Sequence, residues 1–214
     1  MRIESIMRRQ VITASPTTTI GEALQLLREN KIRHLPVVEQ ERLVGILSDR
    51  DLREALPSIL LPKKDDETIF GKPVSEIMKR QVLTAHPLDF IEDAAVQIYE
   101  SKVGSLPVVE GNRLVGIITE SDLFNSLIEL FGVNKPSSHI EVEVDDRVGM
   151  LAEVSQVFRE AQVNVSSIVV FPGSKPAKKS LVFRAQTIDP RPIVQKLRDH
   201  GFTVIAPGEG GTSH

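Results

Sequence analysis

Several residue types and patterns are absent from this chain of 214 residues, and each absence excludes a class of protein. The chain contains no cysteine, which excludes disulfides, thiolate zinc sites and a cysteine nucleophile. It contains no tryptophan and only 4% aromatic residues, too few for the stacking platforms that bind single-stranded nucleic acids. The net charge of -3 supplies no positive field for nucleic acids or anionic lipids. No apolar run is long enough to span a membrane.

The residues that are present indicate an ordinary globular protein. Hydrophobic residues make up 41% of the chain and charged residues 26%, and Val, Ile, Leu and Ala must build the core. This composition favours strands and helices packed in layers, which is the α/β or α+β class. The first ten residues, MRIESIMRRQ, lack the apolar stretch of a signal peptide, so we expect a cytoplasmic location.

An internal repeat organises the first two thirds of the chain. Residues 6–52 align with residues 77–123 at a constant offset of 71 without a gap, and 24 of the 47 pairs are identical. IMRRQVITASP returns as IMKRQVLTAHP, and both copies contain LPVVE and RLVGI. Each copy predicts a short strand (near Val11–Thr13 in the first copy), a helix, two strands and a second helix. A β-α-β-β-α unit of this size is hard to stabilise alone, so we expect the two units to share a core.

The last third of the chain follows a different pattern. Ile140–Val144 alternates like a strand, and the turn Asp145–Gly149 leads into a helix with an apolar stripe. Two strands, a helix from Pro190 and a final strand then complete the chain; the strands are predicted at Val163–Phe171, Leu181–Thr187 and Phe202–Ile205. The order β-α-β-β-α-β predicts a ferredoxin-like domain.

These two patterns resemble two known families. The repeat, through LPVV, RLVGI and then S/T-x-x-D, resembles a tandem pair of CBS domains (a Bateman module) over about residues 1–130. VDDRVGMLAEVSQVF followed by QVNV resembles the ACT domain over about residues 138–207, although Val148 replaces the usual proline of that family's turn. The combination resembles the acetoin-utilisation AcuB-type proteins of bacteria. The expected boundaries are 1–60 and 72–131 for the CBS repeats, 139–207 for the ACT-like domain, 61–71 and 132–138 for linkers, and 208–214 for a disordered tail.

Each repeat places a hydroxyl residue three positions before an aspartate. These residues are Ser48 and Asp51 in the first copy and Thr119 and Asp122 in the second. The spacing suits a helix cap, which contributes about 1 kcal/mol. It also suits a ribose site, because a carboxylate at a helix start can accept hydrogen bonds from both ribose hydroxyls, and the free N–H groups there can bind phosphate. The resemblance to CBS domains favours an adenosine ligand, and capping and binding need not exclude each other.

The resemblance also implies which residues of the opposite repeat face each aspartate. The nucleotide site of Asp122 and Thr119 would include Thr13, Ala14, Pro16, Arg33, His34 and Pro36. The site of Asp51 and Ser48 would include Thr84, Ala85, Pro87, Gly104, Ser105 and Pro107. Because Arg33 and His34 can bind phosphate, we predict that the Asp122 cleft prefers AMP, ADP or ATP. The Asp51 cleft would bind nucleotides less tightly or prefer S-adenosylmethionine, unless Arg50 supplies the missing cation. Alternatively, Arg33 and His34 form a solvated basic patch.

The ACT resemblance implies a second candidate site. In that family a D/N-x-x-G turn and an asparagine after the first helix help to bind amino acids, often between paired domains. Asp146, Gly149 and Asn164 stand at the matching positions. Alternatively, Asp146 and Gly149 only build the turn and Asn164 lies in a loop. We expect no catalytic or metal site, because the five histidines lack metal-ligand spacing and no G-x-S-x-G, Walker or Rossmann motif occurs.

The leading hypothesis is a non-enzymatic regulatory protein without a cofactor. It would bind an adenine nucleotide or S-adenosylmethionine, form a homodimer and control an unidentified partner protein in acetoin, acetate or acetyl-CoA metabolism. The first alternative is an assembly module whose motifs only cap helices and whose ACT-like part only dimerises. The second is an enzyme with a novel site between the domains. Ligand at about 100 times its dissociation constant adds about 2.7 kcal/mol of stability, so a thermal-shift panel of adenosine compounds tests the first alternative.

Overall fold

The computed structural model describes residues 1–55, 69–133 and 136–205. The chain forms two compact units, of which the first ends at Phe124 and the second begins at Asn125. Most of the predicted linker at 61–71 lies outside the described residues, as do residues 134–135 of the second predicted linker and the whole predicted tail at 208–214.

The first repeat has the predicted helix, strand pair and second helix. These elements are α1 (Ile20–Glu29), β1 (His34–Glu39), β2 (Arg42–Ser48) and α2 (Asp49–Ala55). Thr19 begins α1 with a capping box, because its hydroxyl accepts the Glu22 N–H at 3.2 Å and the Glu22 carboxylate accepts the Thr19 N–H at 2.8 Å. Ile20, Ala23 and Leu27 then form the buried stripe that their spacing predicts.

The second repeat folds in the same way as the first. Its elements are α3 (Ile91–Ser101), β3 (Ser105–Glu110), β4 (Arg113–Thr119) and α4 (Glu120–Leu130). The four strands form one antiparallel sheet in the order β1-β2-β4-β3. Its two halves meet at a single residue pair, Arg42 with Arg113. The duplicated sequence therefore produces a duplicated structure within one sheet.

The strand predicted near Val11–Thr13 is reduced to one pairing residue. The Ala14 N–H donates to the Pro36 carbonyl at 3.0 Å, and the Ala14 carbonyl accepts the Val38 N–H at 2.8 Å. The chain turns immediately afterwards, because side-chain hydroxyls close a tight turn there. Ala85 makes the equivalent single bridge in the second repeat. This segment therefore serves as an edge contact for the sheet.

The segment that precedes each repeat packs into the core of the other repeat. Ile3 and Met7 belong to the hydrophobic cluster of the second repeat, and Val74 and Met78 belong to that of the first. We call residues 3–8 and 74–79 the exchanged segments. Each repeat therefore has a core of its own, and the two repeats share residues between these cores by reciprocal exchange.

Two glycines make room for the exchanged segments. A Cβ atom on Gly116 would lie 2.7 Å from the Sδ of Met7, and one on Gly45 would lie 2.6 Å from the Sδ of Met78. Real Cβ atoms essentially never approach a neighbour so closely. The glycine of each RLVGI motif is thus explained by close approach of a side chain from the other repeat.

The second unit has the predicted βαββαβ order. Its strands are β5 (Ser138–Asp145), β6 (Val165–Pro172), β7 (Lys178–Ala185) and β8 (Thr203–Ile205), and its helices are α5 (Met150–Glu160) and α6 (Arg191–Asp199). The antiparallel sheet has the order β6-β7-β5-β8. Both helices contribute to its core, where Phe158 stacks on Phe183 with ring centroids 4.5 Å apart. The ferredoxin-like prediction is confirmed.

Candidate functional site

Both predicted hydroxyl–aspartate pairs form capping boxes at helix starts. The Ser48 hydroxyl and N–H donate to Asp51 Oδ2 at 2.6 and 2.8 Å, and the Asp51 N–H donates to the hydroxyl at 3.2 Å. Thr119 and Asp122 repeat these contacts at 2.6, 2.9 and 3.3 Å. Each box uses Oδ2 of its aspartate, so the Oδ1 atoms are the ones directed to other groups.

A base from an exchanged segment contacts the Oδ1 atom of each aspartate. Arg8 Nε lies 3.2 Å from Asp122 Oδ1, and Lys79 Nζ lies 3.0 Å from Asp51 Oδ1. The two carboxylate side chains are only 9% and 12% exposed, whereas the bases are 59% and 65% exposed. Burial raises the pKa of Asp51, but hydrogen bonds from Ser48 and Lys79 outweigh it and hold the pKa below its usual value. Asp51 is therefore charged at neutral pH.

A cavity of about 460 Å³ opens beside Thr119 within the first unit. Its wall consists of residues 10–12, 30–34 and 119–121, together with Arg8, Gly104 and Ile117. The wall thus combines the loop after the first exchanged segment, the turn between α1 and β1, and the start of α4. A volume of this size is ordinary for a site that binds a small organic ligand.

The wall of this cavity carries more positive than negative charge. Arg8, Lys31 and Arg33 contribute three cations, and Glu120 contributes the single carboxylate among the lining residues. The N–H groups at the start of α4 add a further partial positive charge. An anionic group such as phosphate would be favoured in this space.

His34 occupies the junction between the two repeats. Its Nε2 atom lies 2.7 Å from the position that a Cβ on Gly104 would take, so the absence of a side chain at Gly104 leaves room for the ring. Burial lowers the pKa of His34, while the carboxylates of Asp49, Glu120 and Asp51 and the cation of Arg33 act on it more weakly. The ring is therefore mostly neutral at pH 7 and offers one donor and one acceptor nitrogen.

Four of the predicted residues line this cavity, and three of them were predicted for the Asp122 site. Arg33, His34 and Thr119 line it, and Asp122 is joined to it through the Arg8 contact. Gly104, predicted for the Asp51 site, lines the same cavity because it lies against His34.

The other residues predicted for the Asp122 site do not line this cavity. Thr13 lines a separate cavity of about 220 Å³. Ala14 and Pro36 are buried and joined to each other by a backbone hydrogen bond, and Pro16 is half-buried. These residues contribute to the edge of the sheet rather than to the wall of the larger cavity.

The residues predicted to face Asp51 lie in the packing around β3. Ala85, Pro87, Ser105 and Pro107 are buried and Thr84 is half-buried. The Ala85 N–H donates to the Pro107 carbonyl at 3.0 Å. Ser105 Oγ is a buried atom without a hydrogen-bond partner among the described residues.

Three charged residues of the cavity wall were missed by sequence reasoning. Arg8, Lys31 and Glu120 each have a residue of the same charge at the equivalent position of the other repeat, namely Lys79, Lys102 and Asp49. The alignment of the two repeats therefore contains a signal that could have identified these three residues. It is easily overlooked because charged residues on a surface are common.

The three residues predicted to bind an amino acid lie at opposite ends of α5. Gly149 begins the helix with a φ of 94°, and the Asp146 carboxylate contacts Lys179 Nζ at 2.7 Å. Asn164 follows the helix and precedes β6. The 11 residues of α5 span about 16 Å, so one copy of this unit does not bring the three side chains together.

Comparison with known protein families agrees with both halves of this description. The family model of the CBS domain matches residues 3–58 and 74–129, which is more than half of the chain, and the model of the ACT domain matches residues 138–202. The chain belongs to the CBS-domain family. Its C-terminal unit is an ACT domain, so both resemblances found in the sequence are confirmed.

Three solved structures of CBS-domain proteins are similar to this CBS protein. One, described as an acetoin utilization protein (AcuB) from Vibrio cholerae, is 33% identical with a TM-score of 0.54 and covers 64% of this chain and 98% of its own. CBSX2 in complex with AMP is 31% identical with a TM-score of 0.52, covering 60% and 96%. The CBS domain pair of protein MJ0100, in complex with 5′-methylthioadenosine and S-adenosyl-L-methionine, is 31% identical with a TM-score of 0.51, covering 63% and 98%.

Two negative findings apply to residues 1–55, 69–133 and 136–205. No helix in these ranges is both long and apolar enough to cross a membrane. The same residues contain no cluster of three or more histidine, aspartate or glutamate side chains arranged to hold a metal ion.

Proposed function

We propose that the chain is a regulatory protein whose CBS pair binds adenosine-type nucleotides and thereby controls a partner protein. The observation that carries this proposal is the cavity beside Thr119, where a helix start and three cations surround a space of ligand size, and one of these cations, Arg8, contacts the buried Asp122 carboxylate. The ribose would contact Asp122, and the phosphate would contact Arg33 and the N–H groups of α4. Similar CBS pairs that hold AMP or S-adenosyl-L-methionine support the proposal.

We further propose that the two clefts differ in their ligands. The Asp122 cleft would prefer AMP, ADP or ATP, and the Asp51 cleft would bind nucleotides less tightly or prefer S-adenosylmethionine. Arg33 on the wall beside Thr119 supports this difference. Arg50, the cation available to the other cleft, lies 3.4 Å from Glu54 on its own helix, and both side chains are exposed. Arg50 therefore already has an anionic partner, which argues against Arg50 as the phosphate-binding cation of the Asp51 cleft.

The remaining residues implied by the family stay part of this proposal as neighbours of the ligand. They are Thr13, Ala14, Pro16, His34 and Pro36 for the Asp122 cleft, and Ser48, Thr84, Ala85, Pro87, Gly104, Ser105 and Pro107 for the Asp51 cleft. Among them, His34 has the strongest support, because its half-buried ring lies on the cavity wall.

Calorimetric titration of the wild type and two aspartate variants, with a third variant as control, tests the assignment of ligands. Wild type, Asp51→Ala and Asp122→Ala are each titrated with AMP, ATP and S-adenosylmethionine. Asp122→Ala should lose AMP and ATP binding and Asp51→Ala should keep it, because only one carboxylate accepts the ribose hydroxyls in each cleft. Asp93→Ala, which removes an exposed carboxylate on α3, is the matched control. Equal nucleotide affinity in the Asp51 and Asp122 variants would refute the assignment.

One observation favours a second candidate function, an assembly module without a ligand. Both aspartates already take part in capping boxes and ion pairs, so the motif has a structural use in each repeat. A thermal-shift panel of adenosine, AMP, ADP, ATP and S-adenosylmethionine separates the two functions. Ligand at about 100 times its dissociation constant should stabilise the protein by about 2.7 kcal/mol. No shift with any of the five compounds would favour the assembly module.

We propose that the protein forms a homodimer through a helical face of the second repeat. Three exposed positions there are apolar where the first repeat is polar: Val96, Tyr99 and Phe124 replace Gln25, Arg28 and Arg53. Tyr99 is 73% exposed and Phe124 is 67% exposed, and exposed aromatic residues are common in protein interfaces. Phe124→Arg, which installs the residue of the other repeat, should convert the dimer to a monomer in light-scattering measurements. A wild-type protein of monomeric mass would contradict the proposal.

The ACT domain would bind an amino acid only as part of such a dimer. Asp146 and Gly149 of one copy and Asn164 of another can then share a ligand that a single copy cannot span. A thermal-shift screen of the common amino acids, repeated on Asn164→Ala, tests this role. A shift that survives this substitution would contradict it.

We propose that the protein has no catalytic activity and acts in the cytoplasm on a protein of acetoin or acetyl-CoA metabolism. Similarity to the Vibrio cholerae AcuB structure supports the metabolic setting. Incubation with AMP, ATP or S-adenosylmethionine followed by chromatography should return each compound unchanged. Conversion of any of them, absent from a boiled control, would contradict the non-enzymatic role.

A further inference from the structure

Arg8 lies where a ribose would have to bind Asp122. Its Nε contacts Oδ1 at 3.2 Å, while Oδ2 accepts the hydroxyl and N–H of Thr119 at 2.6 and 2.9 Å. A ribose that uses this carboxylate must share Oδ1 with Arg8 or displace the guanidinium. Arg8 and the ligand therefore compete for one oxygen atom.

The guanidinium of Arg8 can leave Asp122 without disturbing the fold. The Arg8 backbone is fixed to β4, since its N–H donates to the Ile117 carbonyl and its carbonyl accepts the Ile117 N–H, both at 3.0 Å. The side chain, in contrast, is 59% exposed and lines the cavity beside Thr119. A change of rotamer is enough to turn the charge from Asp122 toward a ligand in the same cavity.

The chemistry of the ligand decides whether this displacement is favourable. A ligand without phosphate breaks the ion pair and leaves the guanidinium with water alone. A ligand with phosphate supplies a new anion with which the planar guanidinium can form two parallel hydrogen bonds. Because the Asp122 carboxylate is buried, its lost contact must be replaced, and the ribose hydroxyls replace it.

We propose that Arg8 sets the preference of the Asp122 cleft for phosphorylated over unphosphorylated adenosine by exchanging Asp122 for the phosphate of the ligand. This inference rests on the proposed function, nucleotide binding at Asp122. Lys79 holds the equivalent position on Asp51 at 3.0 Å. An ammonium is a compact charge that cannot make the paired hydrogen bonds of a guanidinium, so the Asp51 cleft discriminates less.

The test measures the dissociation constants of AMP and adenosine for wild type and Arg8→Gln by calorimetry. Loss of a charge-assisted contact should weaken AMP binding about tenfold or more. Adenosine binding should stay the same or strengthen, because no cation then competes for Asp122. Arg8→Lys should give an intermediate ratio. Arg9→Gln is the matched control, since Arg9 is the exposed neighbour and does not line this cavity.

The possible outcomes separate this inference from the proposed function. A fall in the ratio of AMP to adenosine affinity in Arg8→Gln, but not in Arg9→Gln, supports the exchange. Equal weakening of both ligands, or an equal fall in Arg9→Gln, overturns it while nucleotide binding stands. A wild-type protein that binds neither compound overturns the proposed function and this inference together. Arg8→Lys keeps the charge, so it carries the test if Arg8→Gln does not fold.

Discussion

Replacing Gly116 by alanine should loosen the exchanged segment of residues 3–8. The new Cβ would lie 2.7 Å from Met7 Sδ and 3.2 Å from the Arg8 carbonyl oxygen. The methionine can move, but the carbonyl accepts the Ile117 N–H at 3.0 Å, so relief of the clash strains a backbone hydrogen bond. Over-packing of this kind costs about 1–3 kcal/mol. We expect the unfolding free energy of the first unit to fall by this amount.

Urea unfolding followed by tyrosine fluorescence measures the loss. Tyr99 is the one tyrosine of a chain without tryptophan, and it belongs to the first unit, so the signal reports on that unit alone. Met7→Ala in the Gly116→Ala background removes the obstructing atoms. The two substitutions should therefore destabilise less together than the sum of their separate effects, by about 1 kcal/mol. Gly45→Ala, which faces Met78, should behave like Gly116→Ala.

Two results would refute this reasoning. If Gly116→Ala unfolds at the wild-type urea concentration, the approach of Met7 is not what requires a glycine. If the effects of Met7→Ala and Gly116→Ala are strictly additive, the two residues do not meet. Either result would remove the packing explanation for the glycine of RLVGI.

Three further predictions concern the cavity and the second unit. Binding of AMP should take up protons, because burial lowers the pKa of His34 in the free protein and a phosphate would raise it. Affinity should thus rise as the pH falls through the pKa that His34 has in the complex. Calorimetry in buffers of different ionisation enthalpy measures the proton uptake, which His34→Gln should abolish. Thr119→Ala should cost about 1 kcal/mol in thermal unfolding through loss of the α4 cap, whereas Thr119→Ser should be nearly neutral, and equal losses would contradict the capping role. Phe158→Ala should destabilise the second unit by about 3–5 kcal/mol in urea unfolding followed by circular dichroism, because it removes the ring that stacks on Phe183, and an unchanged midpoint would contradict that packing.

The elements of both units were predictable because their signals are local. The stripe Ile20, Ala23, Leu27 and the alternation of Ile140–Val144 depend on neighbours within a few residues, and both elements exist. Exchange of the N-terminal segments was not predictable, since the contact of Met7 with Gly116 joins distant parts of the chain. The strand predicted near Val11–Thr13 was wrong in extent, because only Ala14 pairs with the sheet and residues 11–13 make no bridge to it.

Some residues of the candidate site were likewise predictable from the sequence, and others were not. Ser48 with Asp51 and Thr119 with Asp122 are recognisable from spacing alone, and the structure adds their capping hydrogen bonds. Arg8 was not recognisable as a wall residue, because its contact with Asp122 joins residues 114 positions apart in the chain. The sequence alignment of the two repeats does contain a signal for Arg8, because both copies have a basic residue at this position, Arg8 in the first and Lys79 in the second.

Two identical chains of one repeat each, if they exchanged their N-terminal segments as these repeats do, would form a symmetric dimer. Symmetry would then oblige both grooves to carry the same side chains. Joining the halves in a single polypeptide removes that constraint. The first repeat can therefore have Arg33 and His34 at the positions where the second repeat has Gly104 and Ser105. A substitution in one repeat then changes one cleft and leaves the other as it was. A single protein can in this way acquire two clefts that bind different small molecules.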